Sequence, residues 1–319
     1  MSDPIALQPA VRAEARTALQ AALAALDTII LGKTRSLELA LTTALAGGHL
    51  LIEDVPGVGK TTMARALASV LGLDFARIQF TSDLLPADVT GVSVYNKGDA
   101  SFSFHRGPIF TQMLLADEVN RATPKAQSAL LEAMQERQVT VDGERHALPS
   151  PFFVVATQNP ADQIGTFELP ESQLDRFLMS IALGYPDAVS ERALLNGHRP
   201  ADSLDDMPAS LHAEQLTLLQ KMVLEVTLSE PLLDYLQALV TYTRDTPDFI
   251  TGLSPRAAIA LSGAARAYAV VKGRDTVFPD DLQAVFVAVA GHRLQSASGK
   301  AHSTAQERAQ HVLDAVAIP

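Results

Sequence analysis

The fold is decided by residues 53–62, which read EDVPGVGKTT, because of what stands on either side of them. An apolar run, HLLI at 49–52, precedes them, and apolar residues at helical spacing follow at Met63, Ala66, Leu67 and Val70. This order predicts a strand, a glycine-rich turn and a helix. Glycines let backbone N–H groups close around phosphate oxygens, and a helix N-terminus favours an anion. The stretch therefore predicts a nucleotide-phosphate site.

Each residue type in this turn suits that chemistry. Lys60 supplies a cation for the β- and γ-phosphates, and Thr61 supplies a hydroxyl for Mg²⁺. The strict pattern G-x-x-x-x-G-K-[ST] has glycine where this chain has Asp54. An ordinary strand-to-helix connection is therefore the alternative for this segment taken alone. The residues expected to contact the nucleotide from this turn are Pro56, Gly57, Val58, Gly59, Lys60, Thr61 and Thr62.

Composition narrows the class of protein. The chain has 319 residues, of which 47% are hydrophobic and 19% charged, as is usual for a soluble globular protein. It has no cysteine, which excludes disulfides and thiolate metal sites. A net charge of −11 disfavours a stable nucleic-acid partner, and no apolar run approaches the roughly 20 residues that membrane insertion requires. We therefore expect a cytoplasmic protein.

The pattern along the chain predicts an α/β fold. Apolar runs rich in β-branched residues alternate with helical patterns, which indicates a parallel sheet covered on both faces, in three layers. The runs lie at 50–53, 77–80, 113–117, 152–157 and 177–183. Two segments, 93–104 and 138–145, have turn residues between alternating arms and predict β-hairpins inserted into this core.

A change of pattern near Pro186 predicts a domain boundary. Beyond it the strand signals fade and helical spacing continues to the end of the chain. We expect an α/β nucleotide-binding domain at residues 1–185, including an amphipathic N-terminal helix, and a small all-helical domain at 186–319.

Polar residues at strand ends complete the expected site. The run MLLADE at 113–118 delivers Asp117 and Glu118 to the edge where parallel sheets bind ligands. Asp117 is expected to hold Mg²⁺, usually through water, and Glu118 to orient or deprotonate the attacking water. Asn159, after the next apolar strand, can position that water or touch the γ-phosphate, although Asn before Pro is also a turn signal.

Two arginines are further candidates. Arg176 is either a salt-bridged surface residue or a group that projects into a neighbouring subunit's site and stabilises charge on the transferred phosphoryl group. Arg256 follows Ser254 and Pro255, which predict a helix start. Fixed there, Arg256 can respond to the state of the bound phosphate by moving the whole helical domain. The alternative is that Arg256 is an ordinary exposed arginine.

Taken in order, these motifs resemble those of the AAA+ ATPases, namely PGVGKT, ADE, ATQNP, LDRF and SPRA. More narrowly, FTSDLLPADVTG at 80–91 and GPIFTQMLLADEVNRATPKAQSALLEAMQERQVTVDG at 107–143 resemble the MoxR group. The resemblance implies an AAA+ P-loop core with two hairpin insertions and a helical lid. It implies Walker A, Walker B, sensor 1, arginine-finger and sensor 2 roles for Lys60 and Thr61, Asp117 and Glu118, Asn159, Arg176 and Arg256.

The resemblance also implies a function. It implies an Mg²⁺-dependent ATP hydrolase that forms a ring, expected to be a hexamer, and remodels a protein partner in a chaperone-like way. The implied partner is a von Willebrand A domain protein, in metalloenzyme or complex maturation. A magnesium-chelatase-type metal-insertion motor is a close alternative. Two others are a nucleic-acid motor, disfavoured by hairpins with few basic residues, and a nucleotide switch without turnover, disfavoured by the presence of Glu118 and Arg176.

Overall fold

A computed structural model describes residues 9–98, 100–159, 166–197, 204, 207–297 and 304–318. Its central feature is a parallel sheet of five strands, which are β1 (Leu50–Glu53), β2 (Phe75–Gln79), β5 (Met113–Asp117), β8 (Phe153–Gln158) and β9 (Met179–Ile181). Their order in the sheet is β2-β5-β8-β1-β9. Because both faces are covered, β5 reads as a nearly continuous apolar run and all five of its residues are buried.

Helices cover the two faces and give the three layers that the sequence predicts. The helices are α1 (Pro9–Ile29), α2 (Thr34–Leu45), α3 (Lys60–Val70), α4 (Pro86–Thr90), α5 (Pro124–Glu136), α6 (Glu171–Leu174), α7 (Ala188–Leu195), α8 (Ala213–Glu225), α9 (Glu230–Asp245), α10 (Pro255–Val271), α11 (Pro279–Ala290) and α12 (Ala305–Ala315). One buried cluster unites α1 to α3, one sheet face and the later helices, and a second unites the other face with α5.

Both expected hairpins form, outside the central sheet. One joins β3 (Gly91–Asn96) to β4 (Ser101–Arg106), and the other joins β6 (Gln138–Val141) to β7 (Glu144–Ala147). Phe104 of the first stacks on His146 of the second, with ring centroids 4.1 Å apart. The two hairpins therefore contact each other.

Beyond β9, the elements of the described chain are helices, of which α10 packs against α11 and α2. Ser254 caps α10 as expected, since its hydroxyl accepts a hydrogen bond from the Ala257 N–H at 3.1 Å. Thr123 occupies the corresponding position before α5, but its side chain makes no capping hydrogen bond. None of the described helices combines the length and apolar character needed to cross a membrane.

The observed strands differ from the predicted ones mainly at the edge strand β9. The apolar run at 177–183 predicts seven residues of strand, but only Met179–Ile181 pair with β1. Phe177 is instead buried under the sheet, and the Leu183 N–H leaves the ladder to bond a side chain of the phosphate turn. Apolar character reports burial, and here burial extends beyond the hydrogen-bonded ladder.

Candidate functional site

The phosphate turn lies between the C-terminal end of β1 and the start of α3. Gly57 and Gly59 have φ values of 86° and 97°, a region that side chains with a Cβ rarely adopt. A Cβ on either would meet nothing within 4 Å, so backbone conformation, not space, requires glycine. Pro56 and Gly57 are exposed, whereas Lys60 begins α3 and is 8% exposed. The turn therefore presents open backbone above a buried cation.

The Lys60 ammonium contacts the neighbouring strand. Its Nζ donates to Asn159 Oδ1 at 2.9 Å, to the carbonyl oxygen of Gln158 at 3.4 Å, and to that of Asp54. Burial lowers the pKa of Lys60 below its usual value, although three nearby carboxylates oppose this. The ammonium is thus held by neutral oxygens, which an incoming phosphate can replace with a stronger charge-assisted contact.

Asp117, at the end of β5, is 6% exposed and accepts hydrogen bonds at both oxygens. Thr157 donates to Oδ1 at 2.6 Å, and Thr61 donates to Oδ2 at 3.3 Å. Arg77 of β2 also donates to Oδ2, at 2.7 and 3.1 Å. Thr61 and Asp117 provide hydroxyl and carboxylate oxygens, the ligand type that Mg²⁺ prefers. The donor set therefore fits this ion, and Thr61 and Asp117 are the residues that would hold it.

Glu118 has an unusual backbone. Its φ and ψ are 54° and 48°, a left-handed conformation that is uncommon for residues other than glycine. Its N–H donates to Thr157 Oγ1 at 2.9 Å, which fixes this turn. Asn159 Nδ2 donates to Glu118 Oε1 at 3.3 Å, and Arg121 Nε lies 2.9 Å from Oε2. Strained residues of this kind concentrate at functional sites, where surrounding contacts maintain them.

Asn159 connects the basic and acidic parts of the cluster, because its amide contacts both Lys60 and Glu118. It is 3% exposed, and Asn120 donates to its carbonyl oxygen at 3.1 Å. The parallel strands therefore bring the phosphate turn together with Asp117, Glu118 and Asn159 at their carboxyl ends, as expected.

Arg176 and Arg256 lie at the other end of the sheet. Met179 pairs with Leu50, the first residue of β1, so Arg176 precedes the start of the strand whose far end carries the phosphate turn. Four residues of strand span about 13 Å. Both arginines border one cavity of about 230 Å³ beside Gly47, which precedes β1. The structure does not bring them to the phosphate turn of their own chain.

This second group is strongly basic. Arg137 and Arg293 border the same cavity, and Asp175 is the one carboxylate among its lining residues. Arg293 Nε donates to Asp175 Oδ1 at 2.6 Å, and Arg256 Nε lies 3.9 Å from Oδ2. Among the described residues no hydrogen bond or ion pair engages the Arg176 guanidinium. We call Arg137, Arg176, Arg256 and Arg293 the arginine group; its surplus of positive charge suits an anion.

Two residues of these sites are not evident from the sequence pattern. Arg77 reaches Asp117 because β2 and β5 are neighbours, and the neighbour order of strands is a property of the folded sheet. Arg293 holds the segment that carries Arg176 from a helix more than a hundred positions away. A larger cavity, of about 590 Å³, lies between β9, α2, α11 and α12 and includes none of the expected site residues.

Comparisons with known proteins agree with this geometry. Residues 49–179 match the family described as "ATPase family associated with various cellular activities (AAA)", and residues 241–315 match "AAA lid domain". The chain is 47% identical over 269 residues to "Uncharacterized protein YeaC" of Bacillus subtilis (strain 168), covering 84% of each chain. It is 41% identical over 285 residues to "Chaperone MoxR1" of Mycobacterium tuberculosis, covering 86% of this chain and 75% of that protein.

A solved structure shows the same fold over almost the full length. A putative ATPase from Cytophaga hutchinsonii superposes with a TM-score of 0.86 at 35% sequence identity and covers 97% of both chains. The α/β AAA+ core with its helical lid, predicted from the sequence, is thereby confirmed. With a glycine-rich phosphate turn facing two strand-end carboxylates and an asparagine, and with relatives of this identity, the chain belongs to the MoxR family of AAA+ ATPases.

Proposed function

We propose that the cluster of Lys60, Asp117, Glu118 and Asn159 hydrolyses ATP, and that this work drives chaperone-like remodelling of a protein partner. One observation carries the catalytic part of the proposal: the Asn159 amide joins the buried Lys60 ammonium to the Glu118 carboxylate. A phosphate bound to Lys60 would then be separated by the Asn159 side chain alone from a carboxylate that can accept a proton. That juxtaposition is what transfer of a phosphoryl group to water requires.

The roles follow from the contacts. Lys60 and the N-terminus of α3 bind phosphate oxygens, with backbone groups of the turn. Glu118 orients the attacking water and accepts its proton, and Asn159 keeps the Glu118 carboxylate in place. Thr61 and Asp117 would hold Mg²⁺, which when bound neutralises charge on the β- and γ-phosphates.

The test uses two variants with different expected defects. Lys60→Ala removes the phosphate cation, so we expect loss of nucleotide binding measured by titration calorimetry. Glu118→Gln keeps the shape of the side chain but removes the base, so we expect binding to persist while steady-state turnover falls by about 10²-fold or more. Lys97→Ala and Glu144→Gln, at exposed hairpin positions, are matched controls. Unchanged turnover in Glu118→Gln rejects the catalytic assignment.

We further propose that the arginine group of one subunit completes the phosphate site of the next in a ring, with six subunits as the expected number. The placement of Arg176 and Arg256 away from their own phosphate turn supports this arrangement. The helical part, residues 186–319 in the proposed division, would move with nucleotide state and carry Arg256 with it.

Mixed rings test this arrangement. Arg176→Ala subunits retain an intact Glu118, and Glu118→Gln subunits retain an intact Arg176. If the arginine acts across an interface, mixing the two inactive variants restores part of the ATPase activity, because some interfaces then combine both intact groups. Absence of recovery in rings shown by mass spectrometry to contain both subunits rejects the role.

For the partner, we propose a von Willebrand A domain protein whose metalloenzyme or complex requires maturation. The name of the mycobacterial relative, a chaperone, supports remodelling of a protein. The experiment is capture of purified candidate domains by Glu118→Gln rings in ATP, in ADP and without nucleotide. Capture that depends on ATP supports the proposal; capture that is absent or equal in all three conditions opposes it.

A further inference from the structure

Asp54, the residue that departs from the strict phosphate-turn pattern, lies at a junction of three parts of the chain. Its N–H donates to the carbonyl oxygen of Gln158 at 3.2 Å, which continues the pairing of β1 with β8. Its own carbonyl oxygen accepts a hydrogen bond from Lys60 Nζ. Its carboxylate contacts both the turn and the chain that leaves β9.

The carboxylate holds that exit by two backbone amides. Leu183 N–H and Gly184 N–H both donate to Oδ2, at 2.7 and 2.6 Å, and the other oxygen accepts from Val55 N–H at 2.8 Å. Hydrogen bonds of amides to an ionised carboxylate are about twice as strong as neutral ones. A glycine at position 54 would leave both exit amides without this acceptor.

The exit is the route into the helical part of the chain. Lys33 Nζ donates to the Tyr185 carbonyl oxygen at 2.6 Å, and Asp187 caps α7 through the Ser190 N–H at 2.8 Å. Residues 183–187, which we call the exit segment, are therefore held at one end by the phosphate turn and at the other by the first helix beyond the sheet. A shift of Asp54 would displace this segment.

Nucleotide binding is expected to change the contacts that hold Asp54. Lys60 has three ammonium donors, and it shares them among Asp54, Gln158 and Asn159. Contact with a phosphate redirects at least one of these donors, and the Asp54 carbonyl oxygen is one of the three acceptors that such contact can deprive of its bond. Resting on the proposed nucleotide binding, we infer that Asp54 is a positioning residue that transmits occupancy of the phosphate turn to the exit segment.

Hydrogen exchange followed by mass spectrometry tests this inference directly. In the nucleotide-free protein, Asp54→Gly should raise the exchange rate of the Leu183 and Gly184 amides by about tenfold or more, because both lose their acceptor. Asp54→Asn keeps the shape and a neutral acceptor, so its rates should fall between. Asp142→Gly, at an exposed hairpin turn with φ of 51°, is the matched control and should leave these amides unchanged.

The decisive comparison adds a non-hydrolysable ATP analogue. In the unaltered protein it should change exchange across the exit segment. Because Asp54→Gly restores the strict pattern, this variant should still bind the analogue in calorimetry, but the change at 183–185 should disappear.

Three results overturn the inference: no response of the exit segment in the unaltered protein, an equal response in Asp54→Gly, or loss of analogue binding in Asp54→Gly. The last would make Asp54 a binding residue. Failure of the unaltered protein to bind any nucleotide would reject the proposed function instead, so the two failures are distinguishable.

Discussion

Replacing one atom of the Asn159 side chain can remove its contact with Glu118 while keeping its contact with Lys60. Its oxygen accepts from Lys60 Nζ at 2.9 Å, and its nitrogen donates to Glu118 Oε1 at 3.3 Å. Asn159→Asp preserves the shape and the acceptor for Lys60, but replaces the donor to Glu118 with an oxygen. We therefore predict that this variant binds ATP and fails to turn it over.

The magnitude follows from two losses. The variant removes a hydrogen bond that orients the proposed base, and it places a second negative charge about 3 to 4 Å from the first. Two such charges repel by about 4 kcal/mol at an effective dielectric of 20, and the nearby Lys60 ammonium offsets part of this. Positioned bases contribute about 10²- to 10⁴-fold to rate. We expect kcat to fall by about 10²- to 10³-fold, which corresponds to about 2.7 to 4 kcal/mol.

Phosphate release measured at saturating ATP gives kcat, and calorimetry gives nucleotide affinity. Gln310→Glu is the matched control, because Gln310 also donates its side-chain amide to a carboxylate, that of Asp314 at 2.9 Å, but in α12 and outside the cluster. This control should keep kcat within about threefold. The reasoning is refuted if Asn159→Asp keeps kcat within the same range, or if its affinity falls as far as its kcat.

Three further predictions concern conformation and stability. Burial lowers the pKa of His49 from 6.5 to about 4, so the stabilisation it provides is complete above about pH 7.5 and is lost as pH falls toward 4. Denaturant unfolding should therefore show the stability advantage over His49→Gln shrinking by about 3 kcal/mol between pH 7.5 and 4, and a constant difference would contradict this. Gly59→Ala should weaken nucleotide binding at least about tenfold because φ is 97°, whereas Gly263→Ala, inside α10 with open space, should stabilise by about 0.5 to 1 kcal/mol. Arg293→Met should cost about 3 kcal/mol of unfolding free energy, because the Asp175 carboxylate and the Phe177 and Leu178 carbonyl oxygens lose a buried guanidinium donor. Arg12→Met, at a more exposed pair, should cost under about 1 kcal/mol, and equal losses would argue against this reasoning.

The parts of the fold that could be predicted from the sequence are those coded by local pattern. The continuous apolar run of β5 and the helical spacing of Met63, Leu67 and Val70 correspond to buried elements. The strand-end position of Asp117 and the cap of Ser254 are also local properties, and both are observed. Periodicity and capping act over a few residues, so one chain contains enough information to predict them.

What could not be predicted depends on which elements become neighbours. Asp54 looks like a defect of a short motif until the exit of β9 is placed beside it. Arg77 looks like an ordinary charged residue in a strand until β2 pairs with β5. The spacing of the motifs in the sequence also does not indicate that Arg176 and Lys60 lie at opposite ends of one strand.

The separation of the phosphate turn from the arginine group has a consequence for symmetry. A two-fold pair uses the same patch on both partners, and two patches at opposite ends of a sheet are poorly placed to meet in one such contact. In a head-to-tail contact, the arginine group of one chain meets the phosphate turn of the next, and the same contact repeats from chain to chain. In such an arrangement each chain takes part in two active sites, one with its turn and one with its arginines. A chain altered at both Glu118 and Arg176 would then disable two sites, and a minority of such chains would have a dominant effect on the whole assembly.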